Sequence, residues 1–124
     1  MTQERYALLA QHAGPWLEEF RDAPVPVGTD TGYEIRALYI AVAWDGTAIY
    51  CGRTRPRRPL RSGAAAARIG QHLREESKRA QWTAYWVLPL RADTPDAEVD
   101  RLEAVVAPSL GLPRRRRSRR RRLT

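Results

Sequence analysis

Cysteine is nearly absent from this sequence, and long apolar runs are absent altogether. Cys51 is the single cysteine, which excludes an internal disulfide bond and a cysteine-based zinc cluster. No apolar stretch approaches the roughly 20 residues that a membrane-spanning helix requires. The first residues also lack the basic start and unbroken apolar segment of a signal peptide. These absences predict a cytoplasmic protein that has no membrane association.

Acidic residues are missing from two stretches of an otherwise mixed-charge chain. The net charge is +8, from 22 basic and 14 acidic residues. The tail 114–124 holds eight arginines, and without it 22 − 8 = 14 basic residues would balance the acidic ones. A second acid-free stretch, 53–74, holds seven arginines. Both favour phosphate backbones as partners, since counterion release drives such binding. A coding bias towards arginine would also produce a solvated tail of this kind.

Hydrophobic periodicity predicts an α/β fold, with a small three-stranded antiparallel sheet flanked by helices and an extra N-terminal helix. Predicted helices cover 3–20 (as one helix or two), 62–80 and 93–107, and predicted strands cover 35–44, 47–52 and 82–90. The Pro-, Gly- and Asp-rich segment 22–32 is predicted to be a loop. The chain therefore divides into an N-terminal helical extension and loop (1–33), one domain (34–113) and an arginine-rich disordered tail (114–124).

Asp45-Gly46 lies between two apolar runs, which strongly predicts a β-hairpin with a two-residue turn. In that register Tyr39 faces Gly52 and Ala41 faces Tyr50. The core face then carries Leu38, Ile40, Val42, Trp44, Ile49 and Cys51. The other face carries the two tyrosines among alanines and glycine. Such a face either leaves room for a ligand or lets a helix pack closely against half-buried tyrosine rings.

Four short motifs follow one another along these elements. Ala37-Leu38-Tyr39 and Tyr50-Cys51-Gly52 lie on the two hairpin strands, with ten residues between them. Arg68 and His72 form an Arg-x-x-x-His pattern on a predicted helix, and 102–106 reads Leu-Glu-x-x-Val on the last one. In this order the motifs resemble those of the GIY-YIG nuclease family, and the resemblance covers roughly 37–113.

The resemblance implies a role for each motif residue. Tyr39 would activate the attacking water, and Tyr50 would position the phosphate or the water. Arg68 would hold the phosphate and neutralise developing charge. His72 would bond a phosphate oxygen or relay a proton. Glu103 would bind one divalent cation, Mg²⁺ or Mn²⁺.

Each of these residues also has a plain structural interpretation. His72 could be a packing histidine, Arg68 a solvated surface arginine, and Glu103 a solvated carboxylate beside the buried stripe of its helix. The arginines expected to line the approach of nucleic acid are Arg53, Arg55, Arg57, Arg58, Arg61, Arg114, Arg115 and Arg116. Three aromatic residues of the last strand, Trp82, Tyr85 and Trp86, could stack on bases, but alternation favours core positions for them.

The sequence departs from the family pattern at several points. Ala37 stands in place of the first glycine, and Cys51 in place of the central isoleucine. The segment 52–68 is longer than in compact members, which leaves Arg61 as an alternative to Arg68. Pro113 is followed by arginine, where family members often have asparagine.

Three functions are consistent with this sequence. The first is a metal-dependent endonuclease that hydrolyses phosphodiester bonds, with DNA favoured over RNA. The second is a catalytically weak or inactive nucleic-acid-binding protein on the same fold. In the third, the arginine tail docks the domain on RNA, a ribosome or an acidic protein. A domain this small has little surface for reading bases, so a homo-oligomer or a protein partner would supply specificity.

Overall fold

The computed structural model describes residues 1–29, 32–55 and 63–113. The helices are α1 (Gln3–Ala13), a 3₁₀ turn (Gly14–Trp16), α2 (Ala64–His72), α3 (Glu76–Gln81) and α4 (Asp96–Ser109), and the strands are β1 (Val25–Pro26), β2 (Arg36–Val42), β3 (Ala48–Arg53) and β4 (Ala84–Leu90). None of the helices in the described part of the chain is long and apolar enough to cross a membrane. The predicted α/β class and the N-terminal helix are confirmed.

The sheet is antiparallel and has the strand order β1-β4-β2-β3. It therefore has four strands, and the prediction of three was wrong. The strand that was missed, β1, consists of Val25 and Pro26, which pair with Tyr85 and Ala84 of β4. β1 is an edge strand that pairs with β4 on one side only, and an edge strand tolerates proline, which lacks the backbone N–H. The Pro and Gly content of 22–32 predicted a loop. A strand of two residues is too short to show the hydrophobic alternation that identifies a strand.

Alternation along β2 divides the molecule into two apolar layers. Even-numbered residues from Leu38 to Val42 pack with α1 and α4 in one core. Odd-numbered residues from Ala37 to Ala41 pack with α2 and with Val87 of β4 in a second core. All seven residues of β2 are buried, as expected for a central strand covered on both faces. The N-terminal helix belongs to the first core through Tyr6 and Leu9.

The β2–β3 hairpin has the predicted register at Tyr39 and Gly52 and at Ala41 and Tyr50, but it has a different turn. The loop contains three residues, 44–46, because the N–H of Ala43 bonds to the carbonyl of Thr47, and Gly46 has a φ of +85°. A bulge at Ile49 restores the register before Tyr50. The predicted two-residue turn was therefore wrong. Consequently Trp44 is 86% exposed instead of buried in the first core, and Ile49 packs in the second core.

The predicted helix over 62–80 is interrupted. Its two parts, α2 and α3, are separated by residues 73–75. The start of α2 is held by Glu34, whose Oε2 accepts the N–H of Ala65 at 2.9 Å and whose carboxylate pairs with Arg21 at 2.8 Å. The predicted serine cap, Ser62, lies outside the described residues. The interruption turns α3 back, so that a side chain of α3 reaches His72 at the end of α2.

Candidate functional site

Three of the predicted site residues meet on the α2 face of the sheet. The hydroxyl of Tyr39 on β2 lies 2.8 Å from Nε2 of His72. The ring of Tyr50 on β3 stacks on Tyr39 with 6.2 Å between centroids and meets the imidazole edge-on at 4.9 Å. Tyr39 and His72 are only 1% and 5% exposed. The two strands and α2 therefore converge on one hydrogen-bonded aromatic group.

Gly52 makes room for this arrangement. It lies opposite Tyr39 on the neighbouring strand. A Cβ atom built on Gly52 would lie 2.5 Å from Tyr39 Oη and 3.0 Å from Tyr50 Cε2. Because such distances lie well inside van der Waals contact, any side chain at this position would displace the tyrosine. Glycine is needed here for a close approach, since no positive φ is involved.

Two further residues complete the group, and sequence reasoning did not place them there. The ammonium of Lys78 on α3 lies 2.8 Å from Nδ1 of His72. It also lies 5.1 Å from the centroid of the Tyr50 ring and 5.5 Å from that of Trp82. Trp82 is buried and contacts both the imidazole and Tyr50, at 4.9 and 5.0 Å. We call Tyr39, Tyr50, His72, Lys78 and Trp82 together the Tyr–His cluster.

Of the three aromatic residues considered for base stacking, Tyr85 and Trp86 are buried like Trp82. The hydroxyl of Tyr85 donates to the carbonyl of Thr29 at 3.0 Å, and Trp86 packs in the first core beside Tyr6. The core interpretation of these three residues is therefore confirmed.

The predicted arginines are distributed over several environments. Arg68 lies on α2 one turn before His72, is partly exposed, and donates to Oε1 of Gln71 at 2.7 Å. Arg53 points to the α4 face and pairs with Asp100. Arg55 is exposed. The remaining predicted contacts, Arg57, Arg58, Arg61, Arg114, Arg115 and Arg116, lie outside the described residues.

Glu103 lies on the opposite face of the sheet from the Tyr–His cluster. It is buried on α4, and its Oε1 is 3.7 Å from Nε of Arg53. Burial, with a smaller contribution from the negative charge of Glu103, raises the pKa of the Cys51 thiol to about 12. Cys51 and Arg53 alternate with Tyr50 and Gly52 along β3, so the sheet separates the two sets of side chains. Glu103 is therefore a buried, ion-paired carboxylate, which differs from the predicted solvated edge position.

A divalent cation does not fit the described surroundings of Glu103. Mg²⁺ takes one or two carboxylates and keeps several waters, whereas Glu103 is 3% exposed. The guanidinium of Arg53 lies beside this carboxylate and also pairs with Asp100, so a positive charge is already present. Across 1–29, 32–55 and 63–113, no group of three or more His, Cys, Asp or Glu side chains could hold a metal ion. In this arrangement Glu103 is therefore an ion-paired carboxylate and not a formed cation site.

Comparison with models of known protein families, with curated proteins and with solved structures found no match to this chain. The resemblance to GIY-YIG nucleases consequently stands on the residues of the motifs and on their order along the chain.

Proposed function

We propose that this chain is a nucleic-acid endonuclease in which Tyr39 is the base that prepares the attacking water. The observation that carries the proposal is the 2.8 Å hydrogen bond between Tyr39 Oη and His72 Nε2. A phenol is a weak base near neutral pH unless its environment stabilises the phenolate. A second ionisable group held in hydrogen-bond contact is the kind of partner that makes such a phenol useful in catalysis.

In the proposed reaction the phenolate oxygen of Tyr39 takes one proton from a water molecule. The water oxygen forms a bond to phosphorus, and the ester bond to the leaving sugar oxygen breaks. That oxygen receives a proton from solvent, and Tyr39 returns the proton it took to solvent, which restores the phenolate. Tyr50, stacked on Tyr39, would orient the phosphate or the water. Arg68, one helical turn from His72, and the exposed Arg55 would hold the phosphate backbone.

The proposed mechanism requires that a water molecule reach the side-chain oxygen of Tyr39. Tyr39 is 1% exposed, and a general base must come within hydrogen-bond distance of the water it deprotonates. Cutting therefore requires a rearrangement that uncovers the tyrosine oxygen when nucleic acid binds. Nucleic acid should accordingly change the environment of Tyr39, which is measurable as a shift of its ring resonances.

The test is cleavage of supercoiled plasmid DNA and of labelled RNA by the full-length protein. Tyr39→Phe removes one buried hydroxyl and should lower the rate about 100-fold or more. Tyr85→Phe is the matched control, since it removes another buried, hydrogen-bonded hydroxyl on the same face of the sheet. Equal cleavage by wild type and by Tyr39→Phe would refute the proposal.

The same assay tests the cation that the resemblance implies. Parallel reactions contain EDTA, Mg²⁺ or Mn²⁺, and the Glu103→Gln variant is included. Loss of cutting in EDTA and in Glu103→Gln would show that Arg53 leaves the carboxylate and a metal takes its place. Glu34→Gln is the control for this variant, because Glu34 is also a buried carboxylate paired with an arginine.

A second candidate function is binding of nucleic acid without cutting. The observation that favours it is the burial of Tyr39 and Glu103 together with the ion pair at Glu103. In this case both nucleic acids would be bound at moderate salt, with a salt dependence that reports phosphate contacts. No nicking would then occur with any of the cations, and Tyr39→Phe would leave the affinity unchanged.

A further inference from the structure

The protein carries one lysine among its 22 basic residues, and that lysine is in the Tyr–His cluster. The ammonium of Lys78 lies 2.8 Å from Nδ1 of His72 and next to the rings of Tyr50 and Trp82. All the remaining residues among these 22 are arginines. Lys78 therefore has a compact point charge, whereas the other basic side chains have planar guanidinium groups.

Two aromatic rings and one carboxylate surround the ammonium group of Lys78. The faces of two aromatic rings lie 5.1 and 5.5 Å from Nζ and attract a cation. Oε2 of Glu75 lies 3.3 Å from the same nitrogen. An ammonium group has three donors and no acceptor. In the contact with His72, the lysine must therefore donate and Nδ1 must accept.

This donor assignment determines the tautomer of His72. A neutral imidazole carries its single N–H on one nitrogen, and the hydrogen bond at the other nitrogen decides which one. Because Nδ1 accepts from Lys78, the proton is on Nε2. Nε2–H then donates to Tyr39 Oη, 2.8 Å away. A hydrogen bond donated to this oxygen stabilises negative charge on it.

We propose that Lys78 is a positioning residue that holds His72 as the Nε2–H tautomer and so directs a hydrogen-bond donor at the oxygen of Tyr39. The chain of donors runs from Lys78 through His72 to Tyr39, and neighbouring hydrogen bonds in such a chain strengthen one another. The catalytic consequence of this arrangement rests on the proposed endonuclease function, but the tautomer itself does not.

The tautomer is read from nitrogen chemical shifts of the imidazole ring in ¹⁵N-labelled full-length protein at neutral pH. The chain has two histidines, and the exposed His12 serves as the internal reference. Wild-type His72 should show the neutral Nε2–H form. Lys78→Met keeps an unbranched apolar stem against the two rings but removes the donor, so a population protonated at Nδ1 should appear.

Arg79→Met is the matched control for Lys78→Met. Arg79 lies on the same short helix, is exposed, and donates to the carbonyl of Leu73 at 2.8 Å. Its substitution removes one positive charge and should leave the His72 shifts unchanged. An Nδ1–H or doubly protonated His72 in the wild type would overturn the proposal, whether or not Lys78→Met folds. An unchanged tautomer in folded Lys78→Met would overturn it equally.

Cleavage kinetics separate this inference from the proposed function. If the wild type cuts nucleic acid, Lys78→Met should lower kcat at least tenfold and change KM by no more than about twofold, as expected for loss of a group that sets a histidine tautomer. Cutting at the wild-type rate by Lys78→Met would refute the catalytic consequence. If wild type shows the expected tautomer and cuts nothing, Lys78 keeps its positioning role and the endonuclease proposal fails.

Discussion

Replacing Gly52 with alanine would place a methyl group against the hydroxyl of Tyr39. The added Cβ would lie 2.5 Å from Tyr39 Oη, whereas nonbonded heavy atoms prefer about 3.5 Å or more. Relieving the contact by moving the tyrosine requires a shift of about 1 Å. Because the tyrosine oxygen lies only 2.8 Å from Nε2 of His72, a displacement of about 1 Å would take this contact out of normal hydrogen-bond geometry.

The cost of this overpacking should be about 1–3 kcal/mol. For a chain of this length that corresponds to a fall in Tm of roughly 3–15 °C. Thermal denaturation followed by circular dichroism measures the change in stability, and the imidazole nitrogen shifts of His72 report the broken hydrogen bond. In a Tyr39→Leu background, which lacks the clashing atoms, Gly52→Ala should cost much less, giving a measurable coupling between the two positions.

Gly70→Ala is the control for the Gly52 substitution. Gly70 lies on the exposed side of α2, and a Cβ there would meet nothing within 4 Å. Alanine at this position should stabilise the protein by about 0.5–1 kcal/mol, because it lowers the entropy lost on forming the helix. The reasoning about Gly52 is wrong if Gly52→Ala has the wild-type Tm and unchanged His72 shifts.

Three further predictions concern other parts of the molecule. The pKa of Cys51 is raised from 9.0 to about 12 in the folded protein. The stabilisation that this gives is complete below pH 9 and is lost as the pH rises towards 12. Between pH 8 and pH 10, chemical denaturation should show a larger decline in the free energy of unfolding for wild type than for Cys51→Ala, and equal declines would contradict this. Arg53→Met removes a guanidinium group from beside the buried Glu103 and should cost about 1–3 kcal/mol. Glu103→Gln in the same chain should largely reverse this loss, and an additive double variant would show that the two groups are not coupled. Deleting 114–124 removes eight positive charges and should flatten the dependence of nucleic-acid affinity on salt, measured by fluorescence anisotropy; an unchanged slope would show that the tail does not contact phosphates.

The sequence predicted the elements that local patterns encode. Alternation along β2 and β3 is strong, and it predicted which side chains share a face. The pairing of Tyr39 with Gly52 was predicted from a two-residue turn that does not form, and it is correct because the bulge at Ile49 compensates for the longer loop. The turn between the strands was predicted less well, because Asp45-Gly46 is compatible with loops of two or three residues. The three-residue loop is stabilised by the backbone N–H of Thr47, which donates to the side chain of Asp45 at 3.0 Å and lowers the pKa of this exposed carboxyl.

The rest of the site depends on contacts between distant parts of the chain. No glycine or proline marks the interruption between α2 and α3, so periodicity alone extended one helix through 73–75. Lys78 reaches His72 only because of this interruption. The burial of Glu103 likewise depends on how α4 packs on β3, where Arg53 supplies the opposite charge. A motif on a predicted helix specifies the residue type but not the face that the helix presents.

Because of the bulge at Ile49, the strand pairing at Tyr39 and Tyr50 does not depend on the type of turn at the hairpin tip. The eight residues between Ala41 and Tyr50 can be laid out in two ways of equal length. In one, a two-residue turn joins strands without a bulge; in the observed one, a longer loop and the bulge occupy the same residues. Both layouts leave Ala41 opposite Tyr50. A change of register at the tip therefore does not alter the pairing from Tyr50 onwards. Substitutions that exchange one layout for the other, such as removal of the side chain of Asp45, would move Trp44 between solvent and core while leaving Tyr39 and Gly52 facing each other.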